Sequence, residues 1–279
     1  MVVKTGFLKN SPLVMVLAAV RFQPIELTHK WIPEIQEALR DKLPIFSKYR
    51  QRVTPVGPQI EIDPSDFDSM DPTSSWLFSR PDYSLTAQVG RDMLVVHTKS
   101  YKGSKQFLGD IAEILGVLLG HARHLDVTFG GMRYLDHLRP QNDHVLEDYL
   151  PEKLLPLKSW HLDAKFVGGV NVASYLIGAD RLQARVFVGE EFAVIPDDLM
   201  PVYFTGVDVK RLNQGQVFVH RLQPGEASLD MDCFAALEQA QRSGTSEVIE
   251  LLDRLHAKAN LYFRTVCTDT AFLDWGGGR

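Results

Sequence analysis

Four residues near the middle of the chain are of types that can do chemistry: Arg133, Tyr134, Asp136 and His137. They lie in the run Gly130-Gly131-Met132-Arg133-Tyr134-Leu135-Asp136-His137-Leu138. Read as a β-strand, the run puts Met132, Tyr134, Asp136 and Leu138 on one face. Arg133, Leu135 and His137 fall on the other. Asp136 and His137 are chain neighbours and point to opposite faces, so they cannot form an Asp–His dyad with each other. This weakens a hydrolase reading. The pairs that share a face are Arg133 with His137 and Tyr134 with Asp136. Either pair could bind an anion or a polar ligand, and either could be a structural hydrogen-bonded pair. Burying such groups costs roughly 2–7 kcal/mol each unless they are paired. The strand therefore borders solvent, holds a satisfied polar network, or lines a ligand or partner site.

A second group, His121-Ala122-Arg123-His124-Leu125-Asp126, has metal-ligand types. His121 and His124 share a face if a helix continues through them, and Asp126 could add an oxygen. His137 or His144 could approach in space. Zinc needs three or four ligands around one point, and only two are placed here by local geometry. Histidines also suit the C-terminal end of a helix. No metal is expected. The chain has no G-x-S-x-G elbow, phosphate-binding G-x-x-x-x-G-K-[ST] loop, G-x-G-x-x-G turn or H-E-x-x-H helix, and no cofactor is expected. His256 lies beside an apolar helical stripe and reads as a satisfied boundary residue. Tyr262, Phe263, Phe272, Leu273 and Trp275 form either a partner surface or ordinary core.

Composition narrows the function classes. The chain has 279 residues, 45% of them hydrophobic and 23% charged, enough for a sizeable core. Its formal net charge is −5. Residues 1–124 contribute 15 Lys and Arg against 13 Asp and Glu, and residues 125–279 contribute 15 against 22. A mildly acidic chain lacks the footprint of a general nucleic-acid binder, so nucleic acid is not an expected partner. The local exception is Lys48-Tyr49-Arg50-Gln51-Arg52, which a solvated helix end explains as well. Cys233 and Cys267 are far apart and in no C-x-x-C pair, so a reducing cytoplasm fits. Lys4 and Lys9 precede an apolar run at 13–20, but Arg21 ends it. Eight apolar residues are too few to span a bilayer. A buried strand is expected there, and no membrane.

The elements that would position these residues follow from periodicity. Residues 13–22 are apolar on both faces, as in a strand covered on both sides or threaded through a sheet. A helix capped by Thr28 is predicted to run to about Phe46. A short extended stretch at 59–62 and an acidic loop at 63–71 follow. Short antiparallel strands are predicted at 75–79, 83–89 and 93–99, then a helix at 105–121. The second half opens with the central strand, 126–138. It continues with a short helix near 145–155, strands at 164–176, 181–188 and 202–212, and helices at 229–242 and 246–266. The ending Gly276-Gly277-Gly278-Arg279 reads as a loose tail. The expected class is α+β: two similar halves, 1–124 and 125–279, each a curved antiparallel sheet with helices packed across it.

Four stretches together resemble a known family. They are Pro12-Leu13-Val14 running into Val20-Arg21-Phe22, the hairpin at 88–96, Gly131-Met132-Arg133-Tyr134, and the ending from Leu255-His256 through Phe263 to Thr268-Asp269. Their order and spacing are similar to a sporadically distributed prokaryotic family of uncharacterised proteins of similar length. That family's central strand reads Arg-Tyr-x-Asn, where this chain has Asp136, and it usually carries a basic residue where His137 stands. The resemblance brings no reaction or cofactor. It implies an accessory role, such as defence, mobile elements or partnership with a neighbouring gene product. The expected function is thus a non-catalytic cytoplasmic binding or interaction protein. Its partner would be another protein or a second copy, with Arg133, Tyr134, Asp136 and His137 as candidate ligand contacts. The alternative is a hydrolase-type enzyme with Arg133, Asp136 and His137 around a pocket between the halves.

Overall fold

A computed structural model describes residues 8–54, 57–157, 163–208, 211–212 and 216–277. Its strands are β1 (Leu13–Phe22), β2 (Ile45–Thr54), β3 (Gly57–Ile62), β4 (Ser74–Ser79), β5 (Leu85–Gly90), β6 (Met93–Thr98), β7 (Leu125–Leu138), β8 (Gly169–Ile177), β9 (Asp180–Val188) and β10 (Ala227–Ser243). Its α-helices are α1 (Thr28–Leu39), α2 (Ser104–Ala122), α3 (Leu146–Tyr149), α4 (Met200–Thr205), α5 (Thr245–Val266) and α6 (Asp269–Asp274). The mixed α and β character agrees with the sequence.

The separate sheets expected of two halves are one sheet instead. Ten strands run in the order β3-β2-β4-β5-β6-β1-β7-β10-β9-β8, antiparallel throughout. The seam is the pairing of β1 with β7, from Leu13 opposite Asp136 to Phe22 opposite Val127. This accounts for the apolar character of both β1 faces. Val16, Ala18 and Val20 enter the main core, while Met15 and Leu17 pack into a second core on the other side.

Helices cover one face. α5 lies across β7 and β10 and packs on α2, and α1 lies beside α2. The α5 stripe Val248, Leu251, Leu252, Leu255, Ala259 and Phe263 is buried, and each large side chain of that kind contributes about 1.5–3 kcal/mol. A Cβ at Gly130 would meet Leu251 Cδ2 at 2.6 Å, so glycine there lets α5 rest directly on β7. On the opposite face, Val194, Ile195, Leu199 and Leu222 cover Met15 and Leu135.

Several sequence expectations are corrected. The helix from Thr28 stops at Leu39 and residues 45–54 are strand, because Pro44 cannot continue a helical ladder. Thr28 opens the helix rather than capping it: its hydroxyl donates to the Ile25 carbonyl at 2.8 Å. Lys48 and Arg50 thus lie on β2, not at a helix end. Residues 229–242 form β10, although Ala-Ala-Leu-Glu-Gln-Ala favours helix. Leu229, Met231, Cys233 and Ala235 enter the main core at alternate positions, and pairing with β7, joined by β9 as far as Phe234, overrides propensity. Part of the strand expected at 202–212 is α4, which Pro201 starts. Residues 209–210 lie outside the described residues, and the strand expected from 164 begins at Gly169. The tail is turned back at Gly276 and Gly277, which donate to the carbonyls of Leu273 and Phe272. Residues 278–279 lie outside the described residues, as do 1–7.

The two sheet edges differ in kind. β3 carries Pro58 and Glu61. β8, Gly-Val-Asn-Val-Ala-Ser-Tyr-Leu-Ile, has no charge or proline, pairs among the described residues only with β9, and exposes Val172, Tyr175 and Leu176.

Candidate functional site

The period of β7 divides its polar residues between two environments. On the helical face, Tyr134 and Asp136 form part of the floor of a pocket of about 440 Å³, between the sheet and α5, at the N-terminus of α2. Met231, Ala259 and Phe263 complete the buried floor, and Leu8 and Leu13 add apolar wall. The rim is polar, with Lys102, Gly103, Ser104, Asn260 and Arg264 around it. Gly103 has φ +114° and opens α2 with no side-chain cap, so the first amides of this 19-residue helix face the rim with their partial positive charge. Arg264 donates to Asn260 Oδ1 at 3.0 Å.

The polar groups of the floor keep their protons. Asp136 is 2% exposed, and its Oδ2 has no hydrogen-bond partner. Burial, with a smaller contribution from the Asp230 charge, pushes its carboxyl up to about 8. At neutral pH it is mostly the acid, able to donate as well as accept. Burial also holds the Tyr134 hydroxyl well above its ordinary range. Burial raises Tyr101 too. The Tyr101 hydroxyl is buried without a hydrogen-bond partner, and its ring meets that of Tyr134 edge-on at 6.2 Å. Tyr134 Oη and His256 Nδ1 are 2.7 Å apart. Burial lowers His256, so its ring is neutral at pH 7, and a tyrosine that keeps its proton can donate to Nδ1. Two unpaired polar atoms thus lie buried within residues that line an apolar cavity wide enough for a small organic molecule.

On the opposite face Arg133 is held by ion pairs and His137 by a hydrogen-bond contact with Glu226, and not with each other. Arg133 Nε and Nη2 donate to Asp230 at 2.8 and 2.9 Å, and Nη2 also reaches Asp198 at 3.1 Å. Arg185 shares both acids, with Nε 2.7 Å from Asp230 Oδ2. Burial pushes Asp230 up to about 6, and Arg133 pulls against it. His137 Nε2 lies 2.9 Å from Glu226 Oε2.

Of the four candidates, Tyr134 and Asp136 are therefore brought to one pocket, though without a bond between them. Arg133 and His137 lie behind the sheet. The trio Arg133, Asp136 and His137 does not converge. The His121, His124 and Asp126 group does not converge on a point either. His121 Nδ1 is 3.3 Å from Glu34 and its ring stacks on Trp31, while His124 reaches Asp126 at 3.6 Å. Among the described residues no group of three or more His, Cys, Asp or Glu is placed to hold a metal. Arg50 is buried against Glu61 and Asp66. Tyr101, Lys102, Ser104 and Arg264 were not singled out by sequence. Their one signal is the run Tyr101-Lys102-Gly103-Ser104 at a helix start. His256, read as a boundary residue, is the partner of Tyr134.

No family model, curated protein or solved structure matches the chain. Among the described residues no helix is long and apolar enough to cross a membrane.

Proposed function

We propose that this chain is a non-catalytic binding protein whose pocket between sheet and α5 takes a small amphiphilic molecule. The observation that carries this reading is the buried, unpartnered Oδ2 of Asp136, a residue of that pocket's floor. Leaving a buried polar atom unpaired costs about 1–3 kcal/mol, which a ligand acceptor meeting the protonated carboxyl would recover. The ligand's body matches Leu13, Met231 and Phe263. An anionic group would sit at the rim, where Lys102, Arg264 and the α2 amides gather positive charge. The hydrolase alternative needs Arg133, Asp136 and His137 about one point, and they lie on two faces.

The wider expectations belong to the same reading: a cytoplasmic, accessory protein, as the family resemblance implies, acting with a protein partner or as a homodimer. The halves 1–124 and 125–279 are read as variants of one plan. The support is topological. Each opens with a seam strand, β1 or β7, which pairs with the strand preceding a long helix, β6 or β10.

The test uses anilinonaphthalene sulfonate, which has an apolar body and one anionic group. Saturable binding with one site per chain is expected, and Ala259→Phe, which fills the pocket, should abolish it while thermal unfolding stays cooperative. Absence of saturable binding, or binding that Ala259→Phe leaves unchanged, would overturn the reading.

A further inference from the structure

A second cavity, of about 340 Å³, lies on the far face of the sheet, behind the end of β7. Its charged and titratable lining is Lys99, His137, Arg139, His220, Arg221 and Glu226. Two arginines, a lysine and two histidines thus meet one carboxylate, in the half-chain that carries 22 acidic against 15 basic residues apart from Lys99. The carboxylate is already used: Glu226 Oε2 is held by His137 Nε2 at 2.9 Å and by the Gln223 amide at 3.0 Å.

The cations have no comparable partner. Lys99 Nζ donates to the carbonyls of Gly206 and Tyr203, at 2.8 and 3.2 Å, and sits 3.8 Å from the centre of the Tyr203 ring. Those contacts bring no counter-charge. Burial accordingly lowers Lys99 to about 8. Arg221 donates to the Glu190 carbonyl at 3.3 Å, and the exposed Arg139 side chain has no partner among the described residues. Like charges gathered in a cavity with apolar walls focus a positive field and lack an anion. Two guanidiniums at the rim suit the paired oxygens of a phosphoryl group, and a deeper ammonium supplies a point charge. Val14, Val219 and Tyr203 offer apolar wall for whatever carries that group.

We propose that this cavity is a second ligand site, independent of the pocket under α5, which binds the phosphoryl group of a small phosphorylated molecule through Arg139, Arg221 and Lys99. Calorimetric titration of the full chain with inorganic pyrophosphate tests it. Saturable binding is expected, weakened at least tenfold in Arg139→Ala/Arg221→Ala. Both arginines are exposed, so that variant should keep the wild-type unfolding temperature. Lys99→Met should weaken binding as well, and Ala259→Phe should leave it unchanged. Absence of saturable binding in the wild type, or equal affinity in the double arginine variant, would overturn the site.

Discussion

Replacing Asp136 by asparagine isolates what its proton does. The carboxyl titrates at about 8 in the folded chain, against about 4 in an exposed peptide. Below pH 4 both states are protonated and nothing is lost. Between about pH 4 and 8 the folded chain holds a proton that the unfolded chain has given up, so stability falls as pH rises. Above 8 the loss is complete, at about 1.4 kcal/mol for each pH unit that separates the folded from the unfolded titration midpoint. Asp136→Asn should therefore unfold several degrees above wild type at pH 8.5, with the gap closing towards pH 4; a gap independent of pH would mean that Asp136 is ionised in the fold. On the other face, Arg133→Ala leaves the fully buried Asp230 with Arg185 alone. The expected cost is about 3 kcal/mol, read from urea unfolding. A change below about 0.5 kcal/mol would show a pair worth no more than a surface contact.

At the scale of elements, legibility followed period and length. The α5 stripe and the alternation of β7 were readable because each repeats many times over one element. The split of Tyr134/Asp136 from Arg133/His137 came from that alternation alone. β10 was not readable because its second half is written in helix-forming residues, and only pairing with β7 makes it strand. The pocket was half readable: two of its floor residues sit on the strand that sequence singled out. His256, Tyr101 and Arg264 come from elements distant in sequence, and nothing local says that they meet. Gly130 carries information of the same non-local kind. Gly130→Val would push Leu251 off β7, with an expected loss of about 1–3 kcal/mol and faster amide exchange along α5. The β8 edge makes a further prediction. An uncharged antiparallel edge can pair with its own copy about a two-fold axis with no charge repulsion, which is why a second copy is the occupant we expect there. Val172→Lys should shift light-scattering mass from dimer to monomer; a wild-type monomer at all concentrations would remove that expectation.

For the whole molecule, the shared sheet means that the halves are not independent. β1 supplies the last strand of one and the first neighbour of the other, so residues 1–124 expressed alone should expose the β1 edge that faces β7. We expect that fragment to aggregate, or to fold only when 125–279 is supplied. A monomeric, cooperatively melting fragment would show that the seam is dispensable.

The place of β1 in the sheet also sets an order of events during synthesis. It is made first among the strands, yet its two neighbours, β6 and β7, are made after β2 to β5 have already appeared. At about 5–20 residues per second, Leu13 waits on the order of ten seconds for Asp136. Throughout that interval the nascent chain carries the apolar run 13–20, unpaired along at least one edge. Nascent chains arrested before β7 should accordingly crosslink to a holding chaperone through β1, and those arrested well beyond it should not.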